Sequence, residues 1–127
     1  MIAVDTSALI AVVAKESRAS QCAEVLRDNP LLISAATLTE SLIVGSRPEF
    51  RGAMKPFLTA LELMVVEVDE EFAERAAEAY DRWGKGFHRA RLNYGDSFSY
   101  ALAEMYDCPL LYVGNDFAQT DIRSALD

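Results

Sequence analysis

With 127 residues, 51% of them hydrophobic, the chain can bury a core of its own without disulfides or a structural metal. That composition excludes a disordered tail and a coiled coil. The formal net charge of -8 argues against a loose, general grip on DNA, although a sum says nothing of placement, and acids that converge on divalent cations reverse the local sign.

Short apolar runs alternate with longer helical patterns. Met1 to Val4 predicts a buried strand stopping at Asp5, and the alanine-, leucine- and valine-rich stretch Thr6 to Lys15 predicts a helix buried on several sides. Ser17 to Asn29 is a second helix, with Ala19, Cys22, Ala23 and Leu26 on one face, ended by Asn29-Pro30. Leu31 to Ser34 is a strand and Ala35 to Ser46 a helix. Pro48 to Leu63 is a further helix that Gly52 and Pro56 weaken or split. Met64 to Val68 is the clearest strand. Asp69 caps a helix running to Trp83, with Glu70 and Glu71 at the positive end of its dipole. Residues 84–95 form a loop, Gly95 or Asp96 opens a helix to about Tyr106, and Leu110 to Val113 is a fourth strand ending in a Gly114-Asn115-Asp116 turn. Strand and helix alternating four times predict an α/β domain with a mainly parallel sheet and helices on both faces. No repeat, low-complexity segment or linker interrupts residues 1–127, so one domain is expected.

Cys22 and Cys108 lack zinc-ligand spacing and a catalytic motif, and read as reduced packing residues. Met1 to Val13 lacks a basic leader and a cleavage site, and no run approaches the roughly 20 apolar residues that span a bilayer. A cytoplasmic protein without membrane attachment is expected.

Ligands of such sheets gather beyond the carboxyl ends of the strands. Asp5 follows the first strand and Asp116 the fourth, so both side chains should emerge at one edge, within reach of Glu40 and Asp96 on flanking helices. Taken singly, Asp5 fits a helix cap, Asp96 an N-cap and Asp116 a turn acid. Glu40, in the middle of a mostly apolar helix, fits neither role. A shared divalent cation satisfies several such carboxylates at once. The acids of Asp69-Glu70-Glu71, Glu74 and Glu78 read as a solvated helix face.

These residues resemble a known family. Val4-Asp5-Thr6-Ser7-Ala8-Leu9 looks like the opening of a PIN domain, and Thr39-Glu40 resembles the family's second acid. Tyr94-Gly95-Asp96-Ser97-Phe98 followed by Tyr100-Ala101-Leu102-Ala103 resembles its third. Leu111-Tyr112-Val113-Gly114-Asn115-Asp116-Phe117, then Thr120-Asp121-Ile122, resembles its closing segment, most of all that of VapC-type toxin ribonucleases from type II toxin–antitoxin pairs.

The resemblance implies a three-layer α/β/α fold with a central sheet of four to five strands. It also implies an endoribonuclease using one or two Mg²⁺ or Mn²⁺ ions and leaving 5′-phosphate and 3′-hydroxyl ends. Asp5, Asp96 and Asp116 would be direct or water-bridged ligands, with Glu40 a ligand or the group that orients the attacking water. Ser7 or Thr6 would hydrogen-bond a ligand or water, Asn115 would support the turn, and Asp121 is a possible outer acid or a turn residue. A homodimer and a cognate antitoxin that seats a helix or extended segment in an apolar groove are further implications. Leu38 to Val44 and Phe57 to Leu63 are candidates for that groove. Hard oxygen ligands suit the proposed ions, and the lone histidine excludes a histidine-pair ribonuclease mechanism within one chain.

Between Arg82 and Arg91 stand four positive residues, His88 and no acid, interleaved with Trp83 and Phe87 and followed by Tyr94. Lys85, His88, Arg89 and Arg91 are candidates for holding RNA phosphates, and the aromatic rings for stacking on unpaired bases. A solvated basic loop with core-facing aromatics is the other reading. Arg47, Arg51 and Lys55 form a second basic patch. Two rival classes remain. A receiver or aspartyl-phosphate phosphatase is disfavoured because position 7 is Ser rather than a second aspartate, and no lysine follows the last strand. A plain protein-binding module whose acids are caps would not cut RNA at all.

Overall fold

The computed structural model describes residues 1–126. Strand β1 (Ile2–Val4) is followed by helices α1 (Thr6–Val13) and α2 (Ala19–Asp28), then by β2 (Leu31–Ser34) and α3 (Ala35–Gly45). A 3-10 turn at Pro48–Phe50 precedes α4 (Met54–Ala60), β3 (Met64–Val66), α5 (Glu70–Trp83), α6 (Tyr94–Met105) and β4 (Leu110–Leu111). Phe117–Gln119 is a last 3-10 turn. All four strands are parallel, in the order β3-β2-β1-β4. Beyond β4 the ladder continues as a single bridge from Leu110 to Ser124, with Leu110 N–H donating to Arg123 O and Ala125 N–H to Leu110 O.

Successive strand residues face opposite sides of a sheet, and the core divides accordingly. Ala3, Leu32 and Leu110 pack with Phe72, Ala76 and Ala79 of α5 and with Phe98 to Ala103 of α6. Ile2, Val4, Leu31, Ile33 and Leu111 pack on the other side against Leu9, Cys22, Leu26, Met54 and Leu58 from α1, α2 and α4. Both faces are covered, which is why β1, β2 and β4 read as unbroken apolar runs rather than alternating ones. The expected three-layer architecture and parallel sheet are present.

Several expected boundaries move. The helix expected over residues 48–63 divides at Arg51 and Gly52, both at positive φ (51° and 72°), and not at Pro56. Pro56 lies in the first turn of α4, where a missing N–H costs nothing. β3 covers three residues rather than five and forms an open edge, with Met64 and Val65 exposed. β4 covers two residues rather than four. Helix α6 begins at Tyr94, earlier than Gly95 or Asp96, because Asn93 accepts from Asp96 N–H while the Asp96 carboxylate accepts from Asn93 N–H. Asp96 is thus the third residue of a capping box and not the N-cap.

Candidate metal centre at the carboxyl end of the sheet

Asp5 leaves β1 at the point where α1 starts and is 4% exposed. Its Oδ2 accepts from Ser7 N–H (3.0 Å) and Ser7 Oγ (2.6 Å), so it does cap α1. Its Oδ1 accepts from Ser99 Oγ of α6 at 2.5 Å. Ser7 Oγ in turn accepts from Val113 N–H at 3.0 Å, which ties the exit of β4 to the start of α1. Thr6 donates to Glu40 Oε1 at 2.6 Å. The other oxygen of Glu40 lies against Gly95, where an added Cβ would overlap it. Asp116 is exposed past Gly114, whose φ of 111° lets the chain turn away from β4.

The electrostatics show how near these groups stand. Burial pushes the Asp96 carboxyl up to about 7; the hydrogen bond from Asn93 opposes this, and the charges of Asp5, Asp116 and Glu40 add to it. The charges of Asp5, Glu40 and Asp116 thus all reach Asp96 in the first turn of α6. Among the described residues, no three acidic, imidazole or thiol side chains stand close enough, as placed, to share one ion. In donor chemistry the group suits a hard divalent cation, because it offers oxygen alone.

The remaining candidates divide. Ser7 and Thr6 each hold an acid, and Asn115 stands exposed in the turn. Asp121 is engaged elsewhere: Tyr100 Oη donates to its Oδ1 at 2.5 Å and Arg82 to its Oδ2 at 3.3 Å. His88 accepts from Ala90 N–H at Nδ1 (2.9 Å) and stands edge-on to Trp83, with ring centroids 4.7 Å apart. Trp83 packs against the core, whereas Lys85, Arg89 and Arg91 are exposed and Phe87 and Tyr94 present 62% and 76% of their surface. Arg47, Arg51 and Lys55 are exposed as well. Sequence reasoning missed Ser99 and Asn93. Asn93 carried a signal, since Asn followed three residues later by Asp is a capping-box pattern. Ser99, a hydroxyl between Phe98 and Tyr100, carried no signal that set it apart from Ser97.

The PIN domain profile matches residues 2–123 of the chain. The chain belongs to the PIN-domain family. Ribonuclease VapC42 of Mycobacterium tuberculosis is 42% identical to this PIN domain over 127 residues, covering 96% of this chain and 97% of the relative. Two solved structures share the fold at lower identity. The sarcin-ricin-loop-cleaving toxin VapC20 of M. tuberculosis has a TM-score of 0.72 at 21% identity, covering 96% of each chain. A chain of a toxin–antitoxin complex from Klebsiella pneumoniae has a TM-score of 0.74 at 16% identity, covering 100% of this chain and 98% of the other. No helix among the described residues is long and apolar enough to cross a membrane.

Proposed function

We propose that this PIN domain is an endoribonuclease of the VapC kind, the toxin of a toxin–antitoxin pair, working in the cytoplasm with Mg²⁺ or Mn²⁺. The observation that carries the proposal is a run of contacts between elements: Asp5 leaves β1 where α1 starts, Thr6 beside it donates to Glu40 on α3, and Glu40 lies against Gly95, next to the half-buried Asp96 on α6. The 42% identity to a ribonuclease over nearly the whole of both chains supports the same activity.

A divalent cation bound there supplies Lewis acidity at the scissile phosphate and makes an attacking water more acidic. Asp5, Asp96 and Asp116 are the groups we assign to hold it. Asp5 enters ligation with its carboxylate already fixed by Ser7 and Ser99. Glu40, held by Thr6 and backed by Gly95, orients the attacking water, and the cut leaves a 5′-phosphate and a 3′-hydroxyl. Lys85, Arg89 and Arg91, exposed on the segment that leads into α6, grip RNA phosphates, while His88 braces that segment against Trp83. A cognate antitoxin and a second copy of the chain are the proposed partners. The Klebsiella fold neighbour comes from a toxin–antitoxin complex.

The test is cleavage of a small panel of structured and single-stranded RNAs with Mn²⁺ or Mg²⁺. Cutting that stops with EDTA and in Asp96→Asn supports the proposal; cutting that survives either removes the metal mechanism.

A further inference from the structure

Among the described residues seven polar side chains are buried, and six of them are connected: Asp5, Thr6, Ser34, Thr37, Ser41 and Ser99. Burying polar groups is costly, so their concentration beneath one carboxylate calls for a reason. Hydroxyls inside helices ordinarily bond back to a carbonyl of their own helix. Thr39 does so with Ala35 O, Ser41 with Thr37 O and Ser97 with Tyr94 O. Ser99, wholly buried in the middle of α6, instead donates to Asp5, 94 residues away in sequence.

That bond dictates the direction of the rest. A carboxylate only accepts, and each hydroxyl carries one proton. With the Ser99 proton on Asp5 Oδ1, the 3.3 Å contact between Thr37 Oγ1 and Ser99 Oγ must have Thr37 as donor. Thr37 Oγ1 then accepts from Ser34 Oγ at 3.0 Å, and Ser34 Oγ accepts from Thr37 N–H at 2.9 Å, in the first turn of α3. The row runs one way, from a backbone N–H at the start of α3 through three hydroxyls to Asp5. Aligned donors polarise one another, and the positive end of a helix dipole lies at the row's origin. All three hydroxyl residues are 0–2% exposed, so water cannot replace them.

We propose that Ser34, Thr37 and Ser99 are positioning residues for metal binding. Their directed row of hydroxyls fixes the Asp5 carboxylate in the orientation that holds the cation, although Ser34 and Thr37 never touch it. The inference rests on the metal-dependent reading of the site. Thr37 allows a clean test because its two near-isosteres separate hydroxyl from methyl: Thr37→Val keeps the shape and breaks the row, whereas Thr37→Ser keeps the row and loses a methyl group.

The measurement is Mn²⁺ affinity of the purified protein, from electron paramagnetic resonance of free Mn²⁺ during titration, alongside thermal unfolding in EDTA. Ser99→Ala should weaken Mn²⁺ binding about tenfold, within the range of lost outer-sphere bonds to metal ligands. Thr37→Val should weaken it about three- to tenfold without lowering the unfolding midpoint below that of Thr37→Ser, which binds like wild type. Equal weakening by Val and Ser at position 37 would reduce Thr37 to a packing residue and overturn the proposal. Undiminished binding by Thr37→Val and Ser99→Ala would overturn it while leaving the metal site standing. A wild-type protein that takes up Mn²⁺ no better than Asp5→Asn would overturn both.

Discussion

Two carboxylates of this PIN domain receive a short hydrogen bond from a hydroxyl of α6, yet they sit in opposite electrostatic situations. Asp121 takes Tyr100 Oη on one oxygen and the Arg82 guanidinium on the other, at a site open to solvent. Asp5 is buried, and every donor it meets is neutral: the Ser7 amide and hydroxyl and the Ser99 hydroxyl. Among the described residues four ion pairs form, and none includes Asp5, Glu40, Asp96 or Asp116. One carboxylate has its positive charge supplied by the chain. The other is arranged for a charge the chain does not contain. On the proposed reading, that difference separates an acid that braces structure from acids that would hold an ion.

The comparison breaks most visibly on activity. Asp5→Asn and Asp96→Asn should each lower RNA cleavage at least about a hundredfold, since each removes a ligand charge, while Asp121→Asn should stay within about twofold of wild type. A nuclease assay that ranks Asp121 with the other two would erase the distinction. Stability should rank them in reverse. Asp121→Asn weakens a charge-assisted bond to Tyr100, about 1–2 kcal/mol for a partly exposed group, or roughly 3–6 °C in the unfolding midpoint of a domain this size. Tyr100 reports the same contact, because burial first and then the Asp121 bond push its phenol up to about 12. In Asp121→Asn that titration should move down, as ultraviolet absorbance at 295 nm would record.

In EDTA the acid cluster itself should cost stability as pH rises. The Asp96 carboxyl, near 3.8 when the chain is unfolded and near 7 when folded, binds its proton more tightly in the native state. Its favourable contribution is complete below about pH 4 and is lost as pH climbs through 7. After solvent screening the loss is about 1–2 kcal/mol. Asp96→Asn should flatten that slope; denaturant titrations at pH 4.5 and 7.5 would show it, and a slope unchanged by the substitution would assign it to other groups. Smallest of all, Arg82→Gln should cost under about 1 kcal/mol, because both partners of its ion pair with Asp121 are more than half exposed.

Legibility in the sequence followed the range of the interaction. β2, the end of α5 and the cap at Asp69 lie where periodicity and capping chemistry place them, because those signals are local. The lengths of β3 and β4 do not, since a strand ends where its neighbour stops pairing, and Met64 to Val68 outruns its partner β2 at Ser34. Gly52 and Pro56 looked alike as helix breakers, and only position within the turn told them apart. The place of Asp5 was legible because it directly follows a strand, and a strand end announces a sheet's carboxyl edge. The hydroxyl row was not, because its members come from β2, α3 and α6 and no spacing links Ser99 to Asp5.

The contact between Gly95 and Glu40 has a practical side. Position 95 lies inside the first turn of α6, where alanine is a better helix former than glycine by up to about 1 kcal/mol. The atom that an alanine methyl would strike is the far end of a flexible side chain, which can swing aside without disturbing the backbone. Gly95→Ala is therefore a gentle safety catch. If the proposed activity harms its host, this variant should be the easier one to express, with all four acids intact.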